Sequence, residues 1–193
     1  MYATRLAIVA LISVYLQLHL TAAKNDFELQ FENFTCHRND VSKANPLQSI
    51  HCGLNKNPKR RTLHLEFSLK ETVHEHDFHI IITLPRRTMD FVLVNVTTDG
   101  CQLLANKYQI PLLRISRQML DRYSNFPSQC PFELGKPYYM RGFRLDLGLI
   151  PAVMMETQVV VEFGYIRQQE QLFQGYITAH VQRTTGAKQK KSG

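Results

Sequence analysis

The amino-acid sequence predicts an all-β fold, a sandwich of about seven or eight strands with one short helix between Cys101 and Cys130. Short runs rich in apolar and β-branched residues recur along the chain, and Pro, Gly, Asn or clustered charges separate them. In several runs apolar and polar side chains alternate, which is typical of strands with one buried face. One stretch has apolar side chains at helical spacing instead.

Most of the predicted strands lie in the N-terminal half of the chain. Residues 27–31 and 63–69 alternate apolar with polar side chains, and residues 47–54 form a further candidate. Residues 78–84 and 91–96 are more continuously apolar. Because a central strand is buried on both faces, we expect these two runs to be central strands of the sandwich.

A helix is predicted to begin at Pro111, since Pro is favoured in the first turn, and to end before Asn125 and Pro127. Its apolar side chains recur at helical spacing: Leu112, Ile115, Met119, Leu120 and Tyr123. If Cys101 and Cys130 are bonded, they close a loop of about 30 residues around this helix. Such a bond contributes about 3–4 kcal/mol in the chain-entropy treatment.

Further strands are predicted after the helix, over residues 138–147, 157–166 and 172–182. In the last of them, four apolar side chains share one face: Phe173, Ile177, Ala179 and Val181. Residues 147–155 carry no charge and are interrupted by Gly and Pro, so we do not expect a regular strand throughout them. This segment either packs on the core, which is the favoured interpretation, or lines a hydrophobic mouth.

The N-terminus predicts export. Arg5 precedes the apolar residues 6–20, and a small-residue site ending at Ala23 follows, as in a secretory signal peptide. The alternative of a membrane anchor is disfavoured because the run is short for a bilayer and contains Gln17 and His19. We therefore expect a signal peptide over 1–23, a single domain over 24–183 and a basic, disordered tail over 184–193. The mature protein is expected to be secreted and extracellular, with no transmembrane segment after signal cleavage.

The cysteines predict two disulfides. All four lie in the expected mature part: Cys36, Cys52, Cys101 and Cys130. An even number in an exported chain favours bonded pairs, although four cysteines allow three connectivities and the sequence alone does not choose among them. Because none belongs to a Cys-x-x-Cys pair, zinc binding and redox chemistry are disfavoured.

Two N-glycosylation sequons are present, Asn33-Phe34-Thr35 and Asn95-Val96-Thr97. Either sequon alone occurs often by chance, but both become informative once export is expected. We predict glycans at Asn33 and Asn95, which requires that both side chains face solvent.

The positive charge says little about partners. The chain carries a formal charge of +7, but Lys188, Lys190 and Lys191 lie in the predicted tail. A nucleic-acid binder would carry its basic residues on the fold, interleaved with aromatic residues, so we expect no nucleic-acid partner. A weak attraction of the tail to anionic lipid headgroups stays open.

Two polar stretches separate strands and invite a functional interpretation. Residues 56–61 could be a dibasic cleavage site, but Asn-Pro and the charges favour a hairpin tip. Between two predicted strands, His74, His76 and His79 resemble a metal-binding cluster. On a strand His74 and His76 share a face while His79 points the other way, so we interpret this stretch as a solvated turn and expect no metal.

No catalytic motif is recognisable in the sequence. It contains no Gly-x-Ser-x-Gly elbow, no His-Glu-x-x-His and no glycine-rich phosphate loop. With every cysteine assigned to a disulfide, a cysteine nucleophile is disfavoured as well. We therefore expect a protein that is not an enzyme and uses no cofactor. A hydrolase would require that a His and a carboxylate converge on a Ser inside a cleft.

The order of these features resembles a known family. Asn-x-Thr-Cys ends at Cys36, a second cysteine precedes a basic turn, and Thr98-Asp99-Gly100-Cys101 leads into the helix. Ser124-Asn125 and Cys130-Pro131-Phe132 follow, and then a Leu-Ile-Pro segment. This order resembles the large insect-specific family of secreted proteins, mostly of unknown function, that includes the CheB chemosensory proteins. That family is similar to the ML-domain lipid-recognition proteins and the ganglioside-activator protein. The resemblance covers about Phe27 to Val181.

The resemblance implies an immunoglobulin-like, ML-like sandwich whose sheets splay apart around an apolar cavity, with no catalytic residues and no metal. By analogy with the ganglioside-activator protein, it implies that Cys101 pairs with Cys130 and Cys36 with Cys52. Where members of the family commonly carry a Pro-x-Gly-x-Tyr element, this chain has Met154-Met155-Glu156-Thr157.

The predicted function is that of a secreted, monomeric carrier or presenter of a lipid or another small apolar ligand, held between the sheets. By family analogy, a pheromone or cuticular hydrocarbon in chemosensation is one option. The candidate lining residues are chosen by strand face: Leu65, Phe67, Ile80, Ile82, Phe143, Val161 and Phe163, with Met154 and Met155 near the mouth.

The alternative is an extracellular accessory protein that docks to a receptor or channel without an internal ligand. The interior of the sandwich distinguishes the two functions. An apolar void of several hundred Å³ favours the carrier. A close-packed core with an exposed apolar patch favours the docking protein.

Overall fold

Two antiparallel sheets pack against each other in the computed structural model of the chain. The structure describes residues 27–40, 45–57, 61–105, 107, 111–145 and 155–183. The strands are β1 (Phe27–Arg38), β2 (Leu47–Leu54), β3 (Leu63–Leu69), β4 (Asp77–Leu84), β5 (Phe91–Asp99), β6 (Tyr138–Phe143), β7 (Thr157–Arg167) and β8 (Glu170–Arg183). The helices are α1 (Gly100–Leu104) and α2 (Pro111–Tyr123). The predicted all-β sandwich is confirmed, as is the helix between Cys101 and Cys130.

The five-stranded sheet has the order β1-β8-β7-β4-β5, and the three-stranded sheet has the order β2-β3-β6. The core lies between their facing sides. In β3, Leu63, Leu65, Phe67 and Leu69 are buried while His64 and Glu66 are exposed. The predicted inner face of β8 is buried as well. Since side chains alternate across a strand, these patterns are read directly from the sequence.

Aromatic side chains fill one end of this core. Phe67 stacks on Tyr138 with ring centroids 5.4 Å apart. The Phe132 ring lies edge-on to Tyr138 at 4.7 Å, and Phe126 packs edge-on against Phe67 at 5.6 Å. Because aromatic rings bury a large apolar area, this cluster is a major stabilising element of the sandwich.

The structure corrects the predicted position of one strand and the lengths of two others. Residues 91–99 form an edge strand of the five-stranded sheet, so the prediction that this run is a central strand is wrong. An apolar run shows that both faces of a strand are apolar, but not where the strand lies in the sheet. Strand β1 continues past the predicted residue 31 to Arg38, through a bulge between Phe31 and Asn33. Strand β6 ends at Phe143 instead of extending toward residue 147.

Two disulfides join separate parts of the fold. Cys36 on β1 is bonded to Cys52 on β2, which links the two sheets. Cys101 in α1 is bonded to Cys130 in the segment between α2 and β6. This is the pairing that the family resemblance implies. Asp99 caps α1 because its Oδ1 accepts hydrogen bonds from the backbone N–H groups of Cys101 and Gln102.

Several predictions fall on residues outside the described part. They concern the signal peptide over 1–23, the tail over 184–193, Met154 and most of the uncharged segment 147–155. The described part belongs to one compact unit, Phe27–Thr185. Within the described ranges, no helix combines the length and apolar composition that crossing a bilayer requires.

The β7–β8 hairpin turn gives a first testable prediction. Its two central residues, Gln168 and Gln169, have φ values of 51° and 66°. Positive φ values are unfavourable for residues that have a β-carbon. Replacing Gln169 with Gly should therefore raise the free energy of unfolding by about 1 kcal/mol, measured by urea denaturation. The same replacement at the exposed strand residue Gln158 is the control and should be destabilising. A destabilising Q169G variant would contradict this account of the turn.

Candidate apolar binding face

The predicted lining residues lie on the two facing sides of the sandwich. Leu65, Phe67 and Phe163 are buried, and Phe143, Ile80, Ile82 and Val161 are partly buried against the core. The register of β4 and β7 places Ile80 opposite Phe163 and Ile82 opposite Val161. Met155, one of the two residues predicted near the mouth, is 54% exposed and is not one of these buried or partly buried side chains. The other, Met154, is not among the described residues.

Many apolar side chains of both sheets are buried between the sheets. A cavity of about 20 Å³ lies between the sheets, next to Phe67, Phe132, Tyr165 and Phe173. This volume holds about one water molecule and is far too small for a lipid chain. A second pocket of about 190 Å³ lies beside the β7–β8 turn, but it is lined mostly by polar side chains such as Glu71 and Arg167.

Apolar surface is available instead at the β4–β5 side of the five-stranded sheet. Of all the residues of β4 and β5, only Leu84 and Thr98 are buried. The β4 side chains Ile80 and Ile82 contact the core with part of their surface. Their partners on the edge strand are Val96 and Val94, and both remain partly exposed.

We call this surface the β4–β5 apolar face and define it by five residues: Ile80, Ile82, Phe91, Val94 and Val96. They share the inner side of the sheet because directly paired residues of antiparallel strands project to the same face. Phe91 belongs to it through its pairing with the buried Leu84. At 49% exposure, Phe91 is the most open member of the face.

A positive charge lies at one end of this face. The Arg86 guanidinium carbon is 5.4 Å from the centroid of the Phe91 ring, which is a cation–π contact. The backbone N–H of Arg86 donates to the Asp90 carboxylate, which fixes the turn between β4 and β5. The face therefore presents aliphatic side chains along its length and an aromatic ring with a guanidinium at its end. This arrangement is complementary to an amphipathic molecule that has an acidic headgroup.

Exposed apolar side chains continue around the start of β5. Met89 is 80% exposed, and Val92 and Leu93 are exposed as well. Val92 pairs with Thr83 on the outer side of the sheet, and Leu93 lies at a bulge. This patch is unexpected from the sequence, because the apolar run at residues 91–96 predicts a central strand that is buried on both faces.

The histidine stretch contains a buried side chain, so the prediction of a solvated turn is wrong for His76. This residue is only 6% exposed, whereas His74 and Glu75 are exposed. Its Nδ1 lies 4.0 Å from the sulfur of Cys101 and 4.0 Å from that of Cys130. The imidazole also packs against Tyr165 and Phe132, with centroid distances of 4.8 and 5.3 Å.

Burial controls the ionisation of His76. Loss of solvation lowers its pKa to about 4, and the Asp99 carboxylate opposes this shift only in part. Among the described residues, its Nε2 is a buried polar atom without a hydrogen-bond partner. The ligand atoms of His76, Cys101 and Cys130 lie within 4.8 Å of one another. Zinc binds cysteine as thiolate, however, and these two sulfurs are bonded to each other, so we assign no metal to this cluster.

Both sequon asparagines are exposed, which agrees with the requirement that they face solvent. Asn33 pairs with Thr178 and Asn95 pairs with Ile81, on the outer side of the five-stranded sheet. They therefore lie on the side opposite the β4–β5 apolar face, on the two edge strands. The attachment of glycans stays a prediction.

Comparison with known proteins identifies the region that contains this face. Residues 78–160 match the family described as protein of unknown function (DUF1091). The DUF1091 region includes nearly all of β4, the whole of β5, both helices and β6. It therefore includes every member of the β4–β5 apolar face. No curated protein matches the chain. The match agrees with a resemblance to a family of unknown function, while the narrower links to insect, CheB and ML-domain proteins stay predictions.

Proposed function

We propose that this chain is a secreted, non-enzymatic binding protein that carries or presents a lipid or another small apolar ligand at the β4–β5 apolar face. The observation that carries the proposal is the partly exposed apolar row on the inner side of β4 and β5. A role in chemosensation, as the CheB and ML-domain resemblance implies, is part of the proposal. The proposed site is an open face and not the closed cavity implied by that resemblance, because the described cavity of about 20 Å³ between the sheets is too small for such a ligand.

Energetics support binding at an open face. Removing one methylene group from water contributes about 0.8 kcal/mol, so an acyl chain that lies along the face gains binding free energy without any catalytic group. The Arg86 guanidinium at the end of the face favours a ligand with an acidic headgroup. A fatty acid combines both properties and is therefore our choice of probe.

A lysine on the β4–β5 apolar face tests this proposal. We expect Val94→Lys to weaken the uptake of a fluorescent fatty acid at least tenfold, because the ammonium group would replace apolar surface that contacts the chain. Val92→Lys is the matched control, since this side chain is exposed on the outer side of the same strand, and it should bind like the wild type. Thermal unfolding of both variants establishes that each is folded.

Native mass spectrometry of the protein secreted from insect cells complements this experiment, followed by extraction and identification of bound molecules. A co-purifying lipid that is lost in Val94→Lys supports the proposal. If the wild type carries no ligand and takes up no fluorescent fatty acid, the carrier function is overturned.

The second candidate function is docking to a receptor or channel through the exposed patch at the start of β5. Two observations favour it: the cavity between the sheets is only about 20 Å³, whereas an internal carrier would need several hundred, and Met89, Val92 and Leu93 are exposed. The variants above distinguish the two functions. Saturable binding of labelled protein to the surface of insect cells that Val92→Lys abolishes, together with absent fatty-acid uptake, favours docking.

A further inference from the structure

In the described part of the chain, strand β5 is an edge strand whose residues between Phe91 and Thr98 lack the charges and Pro that usually protect such strands. In the described part of the chain, the sheet ends at β5. No charged residue and no Pro lies between Phe91 and Thr98. Natural edge strands usually carry charges, Pro or a cover that prevents pairing with another sheet. By composition alone, β5 is therefore prone to pair with a second copy of itself.

The opposite edge strand, β1, is protected. It carries Glu28, Glu32 and Arg38 along its length, and both Glu32 and Arg38 are exposed. Both edge strands take part in pairings with a bulge, so this feature does not distinguish them. The difference between the two edges lies in their charge, and it makes β1 a natural control for β5.

The middle of β5 carries Asn95, the acceptor residue of the second sequon. Its side chain is exposed, and it forms no hydrogen bond within the described part of the chain. It projects from the outer side of the sheet, away from Val94 and Val96 on the β4–β5 apolar face. A glycan at this position would leave the apolar face open, yet it would stand directly at the unprotected edge.

We propose that Asn95 carries an N-linked glycan whose function is to prevent β5 from pairing with β5 of a second copy of this chain. In an antiparallel pair, directly opposed residues share a face and their β-carbons lie about 5 Å apart. Two glycans attached near the centre of such a pair would therefore occupy the same space. The inference rests on the secretion that is part of the proposed function, since the modification takes place in the secretory pathway.

The test uses the full chain secreted from insect cells. The mass before and after treatment with an N-glycosidase gives the occupancy of each sequon, and light scattering coupled to size-exclusion chromatography gives the oligomeric state. We expect the wild type to carry a glycan at Asn95 and to be monomeric. Asn95→Gln is expected to form dimers or larger assemblies at the same concentration.

Two further variants make the result specific. Asn33→Gln removes the glycan of the charged edge and should stay monomeric. Adding Val92→Lys to Asn95→Gln places a charge on the β5 edge and should restore the monomer. If Asn95→Gln is not secreted, the folded wild type is treated instead with an endoglycosidase that leaves a single sugar on Asn95, with association as the expected result. An N-glycosidase is unsuitable here, because it converts the asparagine to aspartate and so adds a charge to the β5 edge.

An unmodified Asn95 in the secreted wild type overturns the inference, and so does an Asn95→Gln variant or an endoglycosidase-trimmed wild type that remains monomeric. Fatty-acid uptake measured on the same samples separates this inference from the proposed function. Uptake by a protein with a bare Asn95 overturns the inference alone, whereas a glycosylated, monomeric protein without uptake overturns the carrier function alone. A chain that is retained in the cell with both asparagines unmodified contradicts both.

Discussion

Replacing both Cys101 and Cys130 with Ala is expected to lower the free energy of unfolding by about 3–4 kcal/mol. The bond spans 29 residues, and opening it frees the unfolded chain to sample many more conformations. In the folded state it ties α1 to the segment that follows α2. That segment includes Phe126, which packs against Phe67, and it leads into Phe132, which packs against Tyr138, so loosening it reaches the core.

Urea denaturation at neutral pH, followed by circular dichroism, measures this effect. The matched control is the double replacement of Cys36 and Cys52, whose bond spans 16 residues and should contribute about 3 kcal/mol. Hydrogen exchange provides a second measure. Losing the Cys101–Cys130 bond should speed exchange most in α1 and α2, whereas losing the Cys36–Cys52 bond should affect β1 and β2. A loss below about 1 kcal/mol for the first pair would contradict the role assigned to it.

Sequence patterns predicted the strands well wherever one face is buried. In β3 and β8 the apolar side chains alternate with polar ones, and the structure buries the predicted faces. Alternation is a local property, because a side chain's face follows from its position along the strand. The order of strands within a sheet is not local. For this reason residues 91–96 are correctly predicted to form a strand, but the prediction that this strand is central in its sheet is wrong.

The candidate site was predictable only in part, for the same physical reason. Ile80 and Ile82 were predicted to line a ligand site, and they belong to the β4–β5 apolar face. Val94 and Val96 were missed because a strand believed to be central offers no open surface. Leu65 and Phe67 were predicted beside them, but these side chains are buried in the core. How far two sheets overlap decides which apolar residues are covered, and no pattern along a single strand contains that information.

The burial of His76 likewise depends on tertiary structure. Its sequence neighbours are polar, which suggested a solvated turn. The Cys101–Cys130 disulfide and the rings of Tyr165 and Phe132 enclose it instead. Gly100 makes this possible, because a β-carbon there would lie only 2.2 Å from the His76 Nε2. A glycine between Asp99 and Cys101 was visible in the sequence, but its partner across the loop was not.

Acidification should therefore destabilise the fold in a defined pH window. The pKa of His76 is about 4 in the folded protein and 6.5 in the unfolded chain, so the unfolded state binds a proton first as the pH falls. The free energy of unfolding is expected to be independent of His76 above pH 6.5 and to decrease as the pH falls toward 4. The total loss is about 3 kcal/mol, since each pKa unit corresponds to about 1.4 kcal/mol.

The titratable groups beside His76, Asp99 and Tyr165, change their protonation outside this pH window. The pKa of Asp99 is lowered below its usual 3.8, chiefly by the hydrogen bond that its carboxylate accepts from the backbone N–H of Gln102. Protonation of this carboxylate therefore destabilises the fold only at lower pH. Burial raises the pKa of the Tyr165 phenol above its usual range, so its ionisation affects only alkaline conditions. Between pH 6.5 and 4, His76 is thus the group near the disulfide whose titration changes stability.

Urea denaturation at several pH values, for the wild type and for His76→Phe, measures the contribution of this residue. Phe keeps the aromatic packing against Tyr165 and Phe132 but cannot bind a proton, so its stability curve should be flatter between pH 6.5 and 4 by about 3 kcal/mol. His74→Phe is the control, because His74 is exposed and its replacement should leave the wild-type slope in place. If the wild type and His76→Phe lose stability in parallel across this range, the imidazole is solvated in the folded protein and the burial described for it is wrong.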